Sequence, residues 1–172
     1  MTESMSDQDV QAAWAALVQD VRVGVLLTLR KGHPFGSHVP YVFGGNWTKA
    51  YLHLSRLALH TQHLLTDPRL SLFISEPDRP ENNPLALKRM NLQGTAAILS
   101  PDAPDYAQVK EQYLARFPQS AMMFGFRDFA LWELTLQDAH LVLGFGQAYL
   151  STASAPHEWT QQKPEQKPGA TR

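Results

Sequence analysis

The stretch from Leu52 to His63 holds the densest set of side chains suited to chemistry. It passes from a strand-like run straight into a helical pattern, and Ser55, His60 and Thr61 lie near the start of the predicted helix. The first turn of a helix leaves backbone N–H groups without partners and carries a partial positive charge, which favours phosphate or carboxylate groups. The stretch therefore predicts an anion site. The competing interpretation is a capped surface helix with scattered polar side chains.

His60 and His63 are three residues apart, a spacing that can place two imidazoles on one metal ion. No third ligand stands nearby in the sequence, and leucines at 59 and 64 flank the pair. Two solvated helix histidines are the favoured interpretation, so no metal site is predicted.

A second informative stretch runs from Phe124 to Phe129 and is followed by Trp132 and by a glycine-flanked Phe145. Glycine lets backbone lie close to a planar face, so aromatic residues beside glycines can form a slot for a ring cofactor. The alternative is a core or dimer contact built from aromatic side chains. Asp128 stands between two phenylalanines at a predicted strand start, where a carboxylate caps the chain or orients a histidine or arginine.

Composition excludes several classes of function. The 172 residues contain 15 Lys plus Arg against 16 Asp plus Glu, and this balance argues against nucleic acid as a partner. The absence of cysteine excludes disulfides, thiolate catalysis and Cys-ligated metals. No apolar run approaches the roughly 20 residues that span a bilayer, and the polar N-terminal residues do not resemble a signal peptide. We expect a cytoplasmic protein that binds neither nucleic acid nor membranes.

The elements that must position these residues follow from periodicity and turn signals. A helix capped by Ser6 or Asp7 is predicted to about Asp20, and Ser55 is predicted to cap a short helix up to residue 66. Gly94 predicts a β-bulge or a close backbone approach. The remaining predictions are strands at 23–29, 35–43, 50–54, 69–75 and 88–99, a helix within 101–116, and a last hairpin that pairs 129–135 with 141–145 through a turn at 136–139.

Strands in hairpin order with inserted helices predict a mainly β (α+β) fold, a small antiparallel barrel with flanking helices. One domain is expected over residues 1–150. The proline-containing polar segment at 151–172 is expected to be a disordered tail.

Four segments in this order resemble the pyridoxamine 5′-phosphate oxidase-like FMN-binding split barrels, and most closely their haem-utilisation branch. The segments are Leu54–Pro68, Lys88–Gly94, Arg127–Trp132 and Gly144–Ala148. The resemblance covers about residues 17–149. It implies a six-stranded antiparallel split β-barrel and a homodimer with a cofactor site at the subunit interface.

The same resemblance implies which residues bind FMN. The phosphate pocket would use Ser37, His38 and Val39 of the second strand, Ser55, His60 and Thr61 at the helix start, and Arg89 of the central strand, while Trp132 and Phe145 would pack near the ring. Ser37 and the Leu59-His60 pair stand where the family's oxidases carry arginine or lysine, and Glu133 stands where many members have arginine. Fewer fixed cations weaken the binding of a dianionic phosphate.

Three functions therefore remain open. The first is an FMN-binding flavoprotein oxidoreductase with its cofactor at the dimer interface. The second is a haem-binding or haem-degrading protein on the same scaffold, with His157 or His60 near the iron and Asp128 supporting the imidazole. The third, motivated by the missing cations, is a cofactor-free dimer that acts as a binding module.

Overall fold

A computed structural model describes residues 5–163 of the chain. Within this range the chain forms three α-helices, two 3-10 helices and nine strands. The helices are α1 (Asp7–Asp20), α2 (Leu59–Thr66) and α3 (Tyr106–Arg116), with 3-10 helices at Pro84–Ala86 and Pro118–Gly125. The strands are β1 (Val23–Arg30), β2 (His33–Pro40), β3 (Val42–Phe43), β4 (Lys49–Ser55), β5 (Arg69–Ser75), β6 (Arg89–Ile98), β7 (Phe129–Gly144), β8 (Gln147–Thr152) and β9 (Thr160–Gln161).

All strands belong to one antiparallel sheet in the order β2-β1-β5-β6-β7-β4-β3, and β8 and β9 extend it from β7. The sheet curls around a core that includes one face of α1 and the inward side chains of the strands. A second, smaller core lies between the sheet and α3. The expected mainly β split barrel with flanking helices is confirmed, although the described residues contain nine strands rather than six.

Strand β7 is the longest element, with 16 residues. One edge of β7 pairs with β6 over residues 132–142, while its other edge pairs first with β4 and then with β8. The predicted turn at 136–139 is therefore wrong. Between its pairing with β4 and its pairing with β8, at a point we call the changeover, β7 stays extended. There Leu136 N donates to Thr48 O (2.8 Å) and Ala153 N donates to Gln137 O (2.8 Å), so the backbone groups keep hydrogen-bond partners.

The predicted irregularity at Gly94 is confirmed. The register of β6 against β7 shifts between Gln93 and Gly94, as a β-bulge does. A Cβ placed on Gly94 would overlap the carbonyl oxygen of Thr135 and lie 2.8 Å from the Cα of Leu136. Only glycine lets the two backbones approach this closely.

The backbone N–H groups at the start of α1 and the carbonyl groups at its end find hydrogen-bond partners in different ways. Ser6 caps the start, as predicted, because its Oγ accepts from Asp9 N (3.2 Å) in a capping box. The last turn of α1 has no basic residue of its own, and Arg116 of α3 supplies the charge. Its Nη2 donates to Val18 O (2.5 Å) and Val21 O (3.3 Å), which ties α3 to the barrel.

The predicted disordered tail is wrong over residues 151–163. Strand β8 runs on to residue 152, and β9 pairs with it. Trp159 is only 8% exposed and packs near Trp47 at a ring separation of 6.3 Å. Trp47 Nε1 donates to Pro156 O (2.9 Å), and Trp159 N donates to Asp7 Oδ1 (3.0 Å). Burial of one large aromatic ring outweighs the polar composition around it. The rest of the predicted tail, 164–172, lies outside the described residues.

We expect Gly94→Ala to lower the free energy of unfolding by about 3 kcal/mol, because the new methyl group meets backbone that cannot move aside. Gly125→Ala is the matched control, since a Cβ there meets no atom within 4 Å. Urea denaturation followed by tryptophan fluorescence measures both variants. Equal stability of the two would contradict the close approach of β6 and β7.

Candidate functional site

The end of β4 meets the start of β7, because Ser55 pairs with Phe129 in the antiparallel ladder. Arg56 N donates to Asp128 O (2.7 Å), and Ser55 Oγ donates to Asp128 Oδ2 (2.6 Å). Ser55 Oγ also accepts from Leu57 N (3.1 Å). These bonds hold the chain after β4 against the chain before β7. We call residues 55–57 and 126–128 together the rim.

Ser55 does not cap α2, contrary to the sequence prediction. The helix begins at Leu59, and its N-cap residue, Ala58, provides no side-chain hydrogen bond. The hydroxyl of Ser55 is instead bonded to the carboxylate of Asp128. Asp128 was predicted to act as a cap or to orient a histidine or arginine, and its side-chain partner within residues 5–163 is this serine.

The rim presents apolar and cationic side chains to solvent. Leu57 is 79% exposed and Phe126 is 46% exposed, while Arg56 and Arg127 are also exposed. Phe126 packs against Phe129 at a ring separation of 6.2 Å, which holds it beside Asp128. An apolar surface edged by arginines suits a ligand with a flat apolar body and carboxylate groups.

Helix α2 follows the rim directly. It carries the predicted site residues His60 and Thr61, and also His63. Thr61 is fully buried, and its Oγ1 has no hydrogen-bond partner among the described residues. His60 is half-buried, and burial together with the nearby His63 lowers the pKa of its imidazole. The His63 ring packs edge-on against Phe35 and lies 2.9 Å through Nδ1 from Thr28 Oγ1, so its role is structural.

No group of three or more His, Asp or Glu side chains suited to a metal ion is found in residues 5–163. In the same part of the chain, no helix combines the length and apolar character needed to cross a membrane.

The predicted β2 residues have different surroundings. Val39 is 1% exposed and belongs to the main core, whereas His38 lies on the opposite face of the strand and is exposed. Ser37 is half-buried on the inner side of β2, the strand on which α2 packs with β1. Val39 therefore supports the barrel wall and offers no free surface to a cofactor.

Other predicted residues lie away from the rim. Arg89 pairs with Val142, 13 residues along β7 from Phe129, and its Nη1 donates to Leu87 O (3.0 Å). Trp132 is 2% exposed within the main core, so neither face of its ring is free for stacking. Phe145 is 82% exposed in the β7–β8 turn, at the end of β7 opposite the rim.

His157 is exposed on the turn whose Pro156 carbonyl accepts from Trp47. Trp47 precedes β4, whereas the rim follows it, so His157 and Asp128 lie at opposite ends of this strand. A single chain thus brings Ser55, His60, Thr61 and Asp128 to one end of the barrel. It leaves Arg89, Trp132, Phe145 and His157 elsewhere.

The environment of His53 could not be predicted from the sequence. Its ring is stacked on Phe124 with centroids 3.8 Å apart and planes 8° from parallel, and Phe129 and Tyr113 pack at 5.1 and 5.8 Å. His53 is 9% exposed because α3 and the second 3-10 helix cover this face of β4. Burial, and secondly the charge of Lys110, lower the pKa of His53 to about 4.

The exposed side chains of the rim were also not identified. Arg56 and Leu57 follow a strand, and Phe126 and Arg127 precede another strand more than 70 residues later. Neither pair has a distinctive spacing, and only the pairing of β4 with β7 brings them together.

The chain belongs to the CREG β-barrel family, whose sequence model matches residues 6–160. It is 28% identical over 120 residues to the haem oxygenase HutZ of Vibrio cholerae, covering 69% of this chain and 67% of that protein. It is 30% identical over 158 residues to HOZ, a chloroplast haem oxygenase of Arabidopsis thaliana, covering 86% of this chain but only 47% of the plant protein. The chain therefore spans less than half of that relative.

A solved haem-binding protein from Mycobacterium smegmatis superposes with a TM-score of 0.75 at 29% identity, over 91% of this chain and 62% of that one. The solved structure of a putative pyridoxamine 5′-phosphate oxidase from Listeria innocua shares the fold, with a TM-score of 0.58 at 13% identity over 78% of this chain and 99% of that one. The resemblance to this split-barrel family, closest to its haem-utilisation branch, is confirmed.

The buried His53 predicts a loss of stability in acid. Its pKa is lower in the folded chain than in the unfolded one, so the unfolded chain binds more protons between pH 6.5 and about 4. The stabilisation is complete above this window and falls as the pH falls through it, by about 2–3 kcal/mol down to pH 4.5.

We expect His53→Phe to remove this part of the pH dependence, measured as the free energy of unfolding at pH 7 and pH 4.5. His33→Phe, at an exposed position of β2, is the matched control and keeps the wild-type slope. An unchanged slope in the His53 variant would show that the buried imidazole does not cause the acid sensitivity.

Proposed function

We propose that the chain is a haem-binding protein of the haem-degrading kind, acts as a homodimer, and holds haem against the rim. The observation that carries the proposal is the combination at one end of the barrel of exposed apolar side chains, two arginines, a histidine and a fixed carboxylate. The names of two relatives, both haem oxygenases, agree with this chemistry.

The residues of the rim match the parts of a haem molecule. Leu57 and Phe126 offer apolar surface to the porphyrin plane, and Arg56 and Arg127 offer charge to the propionates. His60 lies in the first turn of the helix that follows the rim and is the candidate iron ligand within the chain. Bound haem would supply the iron at which oxygen is activated.

Asp128 would act through an imidazole rather than on the ligand itself. Its Oδ2 is engaged by Ser55, and no hydrogen-bond partner of Oδ1 occurs among residues 5–163. A carboxylate fixed in this way can accept a hydrogen bond from the second ring N–H of a histidine that binds iron. Because His157 lies at the other end of β4 in its own chain, it would reach this carboxylate only from the second copy.

FMN is the second candidate. Helix α2 starts without a side-chain cap, and the buried Thr61 Oγ1 at its first turn has no partner in the described chain. Both features favour an anionic oxygen at the helix start. Apart from the exposed arginines, the described part of the chain places no fixed cation beside this helix start, so FMN is expected to bind more weakly than it does to a flavin enzyme with a basic phosphate pocket.

A titration with hemin, followed by the Soret absorption band, tests the proposal. Wild-type protein is expected to bind one hemin per chain, and His60→Ala is expected to weaken binding at least tenfold through loss of a ligand. His33→Ala, an exposed histidine away from the rim, serves as the control. If His157→Ala, rather than His60→Ala, abolishes the Soret band, then His157 is the iron ligand. The proposal that the protein binds haem would still stand.

A double arginine variant tests the proposed contacts with the haem propionates separately. Arg56→Ala with Arg127→Ala is expected to weaken hemin about fivefold, since exposed ion pairs contribute up to about 1 kcal/mol, and to leave hemin dimethyl ester unchanged. A wild-type protein that develops no Soret band refutes the proposal. Binding of FMN in a parallel titration would then favour the flavin alternative, and binding of neither the cofactor-free one.

A further inference from the structure

A cavity of about 390 Å³ lies between the end of α1, the residue that joins β2 to β3, and the last turn of α3. Its floor is apolar and buried, since Tyr41 and Val42 are 1% and 3% exposed. Its mouth is polar and open to solvent at Gln19 and Gln112. Among the described residues, no aspartate or glutamate lines it. Small-molecule sites have this size and this combination of an apolar wall with a few polar groups.

The charged group of this cavity is Arg116, which is half-buried in its wall. All hydrogen bonds that its side chain makes within residues 5–163 leave from Nη2 and end on backbone carbonyls at the end of α1. Nε is buried and has no partner in the same residues, and Nη1 donates to none of them. An N–H group that is removed from water without a partner is costly, so a ligand oxygen that accepts from this guanidinium is favoured.

A second guanidinium stands beside the first, and neither has an anionic partner in the described part of the chain. The Cζ atoms of Arg22 and Arg116 lie 5.0 and 5.9 Å from the ring centroid of Phe117. Arg22 Nη2 donates to Arg116 O (3.1 Å). No carboxylate oxygen comes within 4.0 Å of either guanidinium among residues 5–163. Two like charges beside one buried ring favour the binding of a negative charge next to them.

The charges along α3 limit the ligand to one acidic group. Gln112 and Ala115 line this cavity and also a neighbouring one of about 610 Å³, so the two are continuous along the helix. Asp105 and Glu111 line the neighbouring cavity, which has no lysine or arginine in its wall among the described residues. A carboxylate is therefore attracted towards the end of α3 that carries Arg116 and repelled from the other end.

We propose that the cavity at Arg116 binds a monocarboxylate with an apolar body, a class that includes medium-chain aliphatic acids and aromatic acids. The carboxylate accepts hydrogen bonds from Arg116, and hydrogen bonds to charged groups are roughly twice as strong as neutral ones. The apolar body lies on Tyr41 and Val42. This site is separate from the rim and does not depend on haem, because Val42 pairs with Tyr51, and Ser55 lies about 13 Å further along β4.

Calorimetric titration of the full chain tests the role of the charge. Octanoate is the probe, and 1-octanol has the same apolar body without the charge. Wild-type protein is expected to bind octanoate with a dissociation constant below about 1 mM and octanol at least tenfold more weakly. Arg116→Met is expected to bind the two probes equally. A purely structural role of Arg116 would weaken both probes to the same extent and preserve their ratio, so the ratio is the readout.

A second variant fills the cavity and leaves the hydrogen bonds of Arg116 in place. Ala115 is exposed at the mouth, and Ala115→Trp is expected to weaken octanoate binding at least tenfold because the indole occupies the ligand's space. Ala107→Trp is the matched control with wild-type affinity, since Ala107 is exposed on the same helix and does not line this cavity. Urea denaturation followed by far-UV circular dichroism is expected to give both variants the wild-type midpoint.

Two further probes define the acid. 3-Phenylpropanoate represents the aromatic acids, and tighter binding of this probe or of octanoate identifies the aromatic or the aliphatic source. Octanedioate carries a second carboxylate at the other end of the same aliphatic chain. It is expected to bind at least fivefold more weakly than octanoate, because its second carboxylate is repelled by Asp105 and Glu111.

Any of four results would overturn this site. They are a wild-type chain that binds neither carboxylate, a preference for octanoate over octanol that survives in Arg116→Met, wild-type affinity for octanoate in Ala115→Trp, and equal affinity for octanedioate and octanoate.

The hemin titration separates this proposal from the proposed function. Ala115→Trp is expected to bind hemin as the wild type does, because Ala115 lies outside the rim. A Soret band without octanoate binding overturns the site at Arg116 alone. Octanoate binding without a Soret band overturns only the proposed function.

Discussion

The structure depends on the double pairing of β7. One edge of this strand follows β6, while the other edge pairs with β4 over its first half and with β8 over its second half. The changeover requires the bulge at Gly94, where two backbones approach too closely for any side chain. A break of β7 at this point would separate β4 and the rim from β6, β5, β1 and β2, because among the described strands β4 pairs with β7 and with the short β3.

The same strand brings exposed side chains together at each of its two ends. Its first residues place Asp128 against Ser55 and so form the rim, where an apolar ligand with carboxylates finds matching groups. Its other end leads into the exposed Phe145, and the 3-10 helix that carries the exposed Leu85 packs against it.

Local signals in the sequence predicted local features well. The Ser6 cap, most strands and the Gly94 bulge each follow from a few adjacent residues. The changeover in β7 did not, because the bonds of Leu136 and Gln137 go to residues 48 and 153, far along the chain. Ser55 and Asp128 were each identified as candidates, but their hydrogen bond crosses 73 positions. Trp132 was expected near a cofactor ring because aromatic residues cluster beside glycines in this part of the sequence, but the fold covers both faces of β7 here and buries Trp132 in the main core.

The central claim is that haem lies against the rim at the start of β7. Crystals of the protein with hemin, measured at the iron absorption edge, locate the metal directly by its anomalous scattering. The account predicts an iron peak beside the start of α2, within ligand distance of a histidine and next to the Ser55–Asp128 pair. Iron at the Val142 end of β7, or bound only by side chains remote from the rim, would contradict it.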